Sequence, residues 1–277
     1  MNKSTVAILG CGSMGSAILS GMLHHGISAE DVKVTALRKE SAEHLAKKFK
    51  VTAYATEYQP NANGLAVEGA SLVLLSVKPN QIVKVIQEIS PVLAEGALIV
   101  SVAAGVTTAT MEFHLPKGIA VVRAMPNTPA LIGKGVTGIS AGATATAEQV
   151  ARVEALFNGV GKTLVIPESQ IDALSTISGS GPAYVFYFIE EFIAAAMKHG
   201  FTHEQAYLMV SETFDGAAAL LVKSQGDPAE LRRQVTSPNG TTMKAVAVME
   251  NANLHELFFE ATSAALARAK EIAQEMK

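Results

Sequence analysis

From Val6 to about Val165, short runs of Val, Ile, Leu and Ala alternate with polar stretches of helical character, and this alternation confines the chain to few folds. Strands joined by helical crossovers produce such a rhythm. The segments that read as strands are Val6 to Leu9, Val32 to Ala36, Leu72 to Val77, Ala97 to Val102, Ile119 to Arg123, Gly135 to Ser140 and Lys162 to Ile166. The first five are continuously apolar, as parallel strands covered on both faces should be. After Pro167 the strand signals disappear. In the last segment Leu254, Leu257, Phe258, Ala261, Ala265, Leu266, Ala269 and Ile272 keep the i, i+3, i+4 spacing of a helix. The expectation is an α/β domain over residues 1–166 and an all-helical domain over 167–277.

Two domains also suit a chain of 277 residues, which exceeds the usual reach of one core. Hydrophobic residues make up 49% and charged residues 17%, which excludes disorder and suggests further surface buried between subunits. The greasiest stretch, Ala183 to Ile189, is stopped by Glu190 and Glu191, too early to span a bilayer. Met1 to Thr5 leads straight into a strand without the parts of a secretory leader, so a cytoplasmic location is expected. The lone Cys11 suits a reducing compartment and reads as a small packed side chain rather than a redox sensor. A net charge of -3 without a basic run argues against nucleic acid. The seven His residues lack metal-ligand spacing, so no metal site is expected.

Gly10-Cys11-Gly12-Ser13-Met14-Gly15 is a G-x-G-x-x-G between the strand ending at Leu9 and a helix over Ser16 to His24. In that setting the first glycine permits a tight turn and the second lets backbone approach a pyrophosphate. The third lets helix and strand pack closely. A Rossmann-type, doubly wound, mostly parallel sheet binding a dinucleotide is therefore expected, against the plainer reading of a glycine turn. An NAD-selective site carries an acidic residue at the end of the second strand. Here Asp31 precedes that strand, whereas Arg38 and Lys39 follow it, where a 2'-phosphate would be held. NADPH is favoured over NADH; the plainer alternative is a solvated helix start. Val77, Lys78 and Pro79 close the third apolar strand, where ligands of open α/β sheets collect. Lys78 reads as a rim charge in preference to a catalytic base.

Three further stretches narrow the choice. They are Arg123-Ala124-Met125-Pro126-Asn127-Thr128-Pro129-Ala130, Ser178-Gly179-Ser180-Gly181-Pro182-Ala183-Tyr184 and Val235-Thr236-Ser237-Pro238-Asn239-Gly240-Thr241-Thr242. With the glycine motif, and in order along nearly the whole chain, they resemble the signatures of pyrroline-5-carboxylate reductases. Asn239 departs from the family, which commonly has a second glycine there; Asn tolerates positive φ, so the turn can still form. The resemblance implies a helical dimerisation domain and a homodimer, with dimers gathered into a larger ring such as a decamer. It also implies that Asn63, in Asn63-Gly64-Leu65-Ala66-Val67, contacts the cofactor ribose; alone it would read as a helix cap.

The resemblance further implies a five-membered cyclic imine bearing a carboxylate as substrate, reduced to proline as the last step of proline biosynthesis. A protonated imine already attracts hydride, so the protein must chiefly orient it and capture its carboxylate. Ser178 to Pro182 reads as a helix start whose amides, near Ser178 and Gly179, could hold that carboxylate; plain capping is the alternative. Ser237, Gly240, Thr241 and Thr242 form a second hydroxyl- and amide-rich loop before a helix starting near Met243. By resemblance, Thr242 lies at the imine nitrogen as a proton relay, and Gly240 and Thr241 contact the carboxylate. Met125 and Asn127 follow a strand end where the nicotinamide should lie. A 3-hydroxyacid dehydrogenase fits poorly, because its catalytic lysine position falls on Val185 and the helix has no Lys before Lys198. A non-catalytic NADPH sensor would not need the loop Thr236 to Thr242.

Overall fold

The computed structural model describes residues 5–275, so the leaderless start read at Met1 to Ser4 lies outside the described residues. The chain opens with β1 (Val6–Leu9), α1 (Ser13–His24), β2 (Val32–Ala36), α2 (Lys39–Phe49) and β3 (Thr52–Ala55). It continues through α3 (Ala62–Val67), β4 (Leu72–Leu75), α4 (Ile82–Ile89), β5 (Leu98–Ser101) and α5 (Thr108–His114). The sheet is completed by β6 (Ala120–Met125), β7 (Gly135–Ala141), α6 (Ala147–Asn158) and β8 (Gly161–Val165).

Eight strands form one sheet in the order β3-β2-β1-β4-β5-β6-β7-β8. All neighbours run parallel except β6 and β7, where Met125 pairs with Gly138 in an antiparallel register. The central strands are apolar at every position because successive side chains enter different cores. Ile8, Leu74 and Val122 join one cluster with Ile18, Leu19 and Phe157; Leu9, Leu75 and Val121 join the other with Val67 and Ile86. After β3 the chain crosses back past β1 to form β4. That reversal opens a crevice beyond the carboxyl ends of β1 and β4. β3 was not expected from the sequence. It is a four-residue edge strand with an exposed Thr52, too short and too polar on one side to show an apolar run. α6 is entered through a cap at Thr146, which accepts from Gln149 N in a full capping box.

The helical part comprises α7 (Ile171–Leu174), a π-helical turn (Ser175–Gly179), α8 (Gly181–Lys198), α9 (His203–Ser224), α10 (Pro228–Gln234), α11 (Thr241–Asn251) and α12 (Leu254–Glu275). Two compact units result: residues 5–180 with 265–275, and residues 181–264, the division falling inside α12. In the second unit α8 has no buried residue, and Phe186, Tyr187 and Phe192 are 66%, 61% and 50% exposed. A helix this apolar around its circumference requires cover. No helix among the described residues is long and apolar enough to cross a membrane.

Candidate active site

The glycine turn sits at the end of β1 with Gly10 at φ 75°, a conformation open to few residues with a side chain. A Cβ there would lie 2.5 Å from Val77 Cγ1 and 3.0 Å from Val77 Cα, so the first glycine is also demanded by the close approach of the β4 end. Gly12 occupies the N-cap position of α1 without a side-chain cap, and no acidic residue follows in the first turn. Gly12 and Ser13 are exposed. The opening amides of α1, at Ser13, Met14 and Gly15, thus face outward at the positive end of a 12-residue helix, a ready anion site. Burial pushes the Cys11 thiol up to about 11, partly offset by contact with the Ser16 hydroxyl, so it stays protonated and unreactive near neutral pH.

Thr35, a buried hydroxyl in the apolar strand β2, was missed in the sequence. Its Oγ1 accepts from Gly10 N at 3.0 Å and its carbonyl accepts from Cys11 N at 2.7 Å. Its only sequence signal is a polar residue at the inner end of a buried strand. Asn63 is the second residue of α3, and Asn61 holds the cap position, so the helix-cap alternative fails. The Asn63 side chain instead joins Thr35 Oγ1 to Glu88 Oε2, each at 3.0 Å. Arg38 is the N-cap residue of α2, and it and Lys39 are exposed beyond the end of β2. Glu57 holds the helix start by accepting from Lys39 N at 2.8 Å. Asp31 lies in a turn ahead of β2, away from this end. Beyond β4, Val77 abuts Gly10, while Lys78 precedes a 3-10 turn begun by Pro79 and is exposed.

A cavity of about 460 Å³ opens within the first unit, where Met14, Met125, Asn127, Thr176, Gly179 and Arg268 are among its walls. α8 opens at Gly181 with Pro182 in its first turn, inside the Ser178 to Pro182 expected as a helix start, but it follows directly on other helical turns. Helical structure begins earlier, at Ile171, and Ser180 N reaches back to Ser175 O at 2.8 Å in a π-helical turn. Pro182 has no N-H to offer the Ser178 carbonyl four residues back, and that carbonyl accepts from Asn127 Nδ2 at 2.9 Å instead. Ser178 Oγ donates to Leu174 O. Ser178 therefore spends its groups inside the turn, and Gly179 is the residue that borders the cavity.

Asn127 is 8% exposed and engaged at both ends of its amide, since its Oδ1 also accepts from Val136 N at 2.8 Å. It ties the start of β7 to the π turn. Arg123, unforeseen as a site residue, makes a parallel tie: its guanidinium meets Asp172 Oδ1 at 2.8 Å and Glu168 Oε1 at 3.5 Å.

Ser237, Gly240, Thr241 and Thr242 lie together in the second unit. Gly240 N donates to Ser237 O at 3.0 Å, and Asn239 takes φ 59°, as its tolerance of that region allowed. α11 starts at Thr241, two residues before the expected Met243, so Thr241 and Thr242 are its first two residues. It too has no side-chain cap and no acid in its first turn. Ser237, Thr241 and Thr242 are exposed.

A family model described as pyrroline-5-carboxylate reductase dimerisation matches residues 168–272, and one described as NADP oxidoreductase coenzyme F420-dependent matches residues 5–105. A pyrroline-5-carboxylate reductase of Pseudomonas aeruginosa is 36% identical over 277 residues, covering 100% of this chain and 99% of that protein. The structure of a pyrroline-5-carboxylate reductase from Coxiella burnetii superposes with a TM-score of 0.91 at 37% identity, covering 98% of this chain and 99% of that one. The Plasmodium falciparum pyrroline carboxylate reductase crystallised with NADP bound gives 0.84 at 26% identity, with 99% of each chain covered.

Asn127→Ala removes the partner of two half-buried groups at once, the Val136 N-H and the Ser178 carbonyl. It is expected to lower stability by about 2–4 kcal/mol, read as a drop in the urea midpoint.

Proposed function

Since this chain belongs to the pyrroline-5-carboxylate reductase family, we propose that it reduces L-1-pyrroline-5-carboxylate to L-proline, the last step of proline biosynthesis. The observation that carries this reading is a pair of uncapped helix starts. α1 and α11 each open after a glycine, with no side-chain cap and no acidic residue in the first turn. Each favours an anion, and the reaction has two anionic groups to hold, a pyrophosphate and a carboxylate.

A reduced nicotinamide nucleotide supplies the hydride when bound. The residues of the first unit fit such a group, because the Gly10 turn leaves no room for a Cβ and the α1 amides stand open. Gly10, Gly12, Ser13, Met14 and Gly15 hold the pyrophosphate, with Val77, Lys78 and Pro79 along its border. Asn63 meets the ribose. Arg38 and Lys39, exposed past β2, hold a 2'-phosphate, so the cofactor is NADPH in preference to NADH. Met125 and Asn127 form the wall of the nicotinamide end, Asn127 through the frame it holds rather than through a free amide.

At α11, Ser237, Gly240 and Thr241 hold the substrate carboxylate with hydroxyl and amide donors, and in the first unit Gly179 is read as a further substrate contact at the cavity it borders. Thr242 contacts the imine nitrogen. A threonine hydroxyl is a weak acid, so Thr242 acts as a hydrogen-bonding relay for a proton carried by the iminium or drawn from solvent. Hydride then adds to the imine carbon and the nitrogen retains the proton as an amine. Orientation supplies most of the rate.

The division of labour we read is 1–166 for the dinucleotide and 167–277 for substrate and a second subunit, although residues 167–180 and 265–275 pack within the first compact unit. The exposed apolar faces of α8 and its neighbours support a homodimer, and a decamer of such dimers is the larger assembly expected. The enzyme works in the cytoplasm.

Purified protein given NADPH and pyrroline-5-carboxylate should consume the absorbance of the reduced cofactor; no consumption would overturn the reading. Thr242→Ala should lower kcat at least about tenfold, equivalent to about 1.4 kcal/mol, and unchanged turnover would remove Thr242 from the mechanism. Arg38→Ala should raise KM for NADPH and leave NADH kinetics unchanged. Equal loss with both cofactors would contradict a phosphate role.

A further inference from the structure

Glu88, on the exposed side of α4, reaches the glycine turn through three hydrogen bonds in series, and we propose that it is a positioning residue for nucleotide binding. The inference rests on the reading of that turn as the cradle of a reduced nicotinamide nucleotide. Asn63 Nδ2 donates to Glu88 Oε2, Thr35 Oγ1 donates to Asn63 Oδ1, and Gly10 N donates to Thr35 Oγ1, each at 3.0 Å.

The direction of this series is set at its outer end. A carboxylate can only accept, so the amide nitrogen of Asn63 must face Glu88 and its oxygen must face Thr35. That oxygen also only accepts. The Thr35 hydroxyl therefore spends its single proton on Asn63 and turns its lone pairs to the Gly10 N-H. Without Glu88, only the need of the Thr35 proton for an acceptor opposes a turned-over Asn63 amide, which would leave that proton unplaced on a hydroxyl already accepting from Gly10. Thr35 and Asn63 are 1% and 6% exposed, so the mismatched arrangement has no solvent to relieve it.

Two consequences reach the nucleotide. Thr35 also accepts from Cys11 N through its carbonyl at 2.7 Å, so it grips two consecutive residues of the turn. Asn63, after these bonds, keeps one amide N-H and one oxygen lone pair for a ribose hydroxyl, and Glu88 decides where each is presented. Glu88 touches none of the reacting groups. Its contribution is to binding, and the separation of KM from kcat reveals it.

The test uses the full-length protein, with NADPH affinity from fluorescence titration, steady-state kinetics and ligand-free melting. Glu88→Ala is expected to weaken NADPH binding and raise its KM by about five- to tenfold, with kcat and the substrate KM within about twofold. Ligand-free melting should stay close to wild type. Glu88→Gln keeps an acceptor oxygen and should recover affinity to within about threefold of wild type. Thr35→Val, which deletes the middle link, should weaken binding as well, and adding Glu88→Ala to it should cost little more, because both act through one series. Unchanged NADPH affinity in Glu88→Ala would overturn the proposal. Additive losses in the double variant, or equal loss of affinity and melting temperature with both Glu88 variants, would overturn it too. A wild type that binds NADPH but reduces no pyrroline-5-carboxylate refutes the proposed reaction and leaves the affinity comparison to decide Glu88. A wild type that binds no NADPH sinks both.

Discussion

The approach of Gly10 to Val77 is the constraint on which the first unit depends. At the end of β1 the chain must turn sharply while the end of β4 presses within van der Waals reach, and only a residue without Cβ at φ 75° satisfies both. Because that turn is held from β2 by Thr35, the start of α1 points its free amides past the sheet edge, at the place where the strand order reverses. Side chains contribute little charge here. The field for an anion comes from backbone dipoles kept clear of competing carboxylates.

The cavity depends on a second device. Arg123 is buried at 2% exposure between Glu168 and Asp172, and its Nε has no partner among the described residues. Burying a guanidinium is costly, and two carboxylates on the segment after β8 offset the cost. Glu168 in turn accepts from Thr108 N and Oγ1 at 2.8 and 2.7 Å, which carries the tie on to α5. With the Asn127 bridge, these bonds lock the end of β6 to the π turn. Met125 and Gly179 are therefore fixed in the same wall by Arg123, Asn127 and Asp172, which line the cavity beside them.

The second unit follows a different logic. Few of its residues are buried; Ala206 and Val210 of α9 are among them. Its Phe, Tyr, Leu and Met side chains lie largely on the outside, beyond what a monomer ordinarily exposes. Faces this apolar call for cover that the second unit does not itself supply. This gives a physical basis for the excess of apolar residues over charged ones.

By itself the sequence determined the layer architecture, because short continuous apolar runs and period-3.6 stripes are local consequences of backbone geometry and two-sided burial. Val6–Leu9 and Val32–Ala36 are bounded in the structure as their residues predict, and so is the cap at Thr146. The glycine motif and the Ser237–Thr242 loop were legible for the same reason, since turns and helix starts are coded by neighbours in the chain. Tertiary structure alone decided what lies far apart in sequence. Ser178 became part of a π turn because Asn127, 51 residues away, supplies the donor that Pro182 withholds. β3 is a strand because β2 lies beside it, and Glu88 meets the glycine turn only through Asn63 and Thr35. Such bonds are chosen by which buried polar groups the fold brings within 3 Å of each other, and no local pattern records that choice.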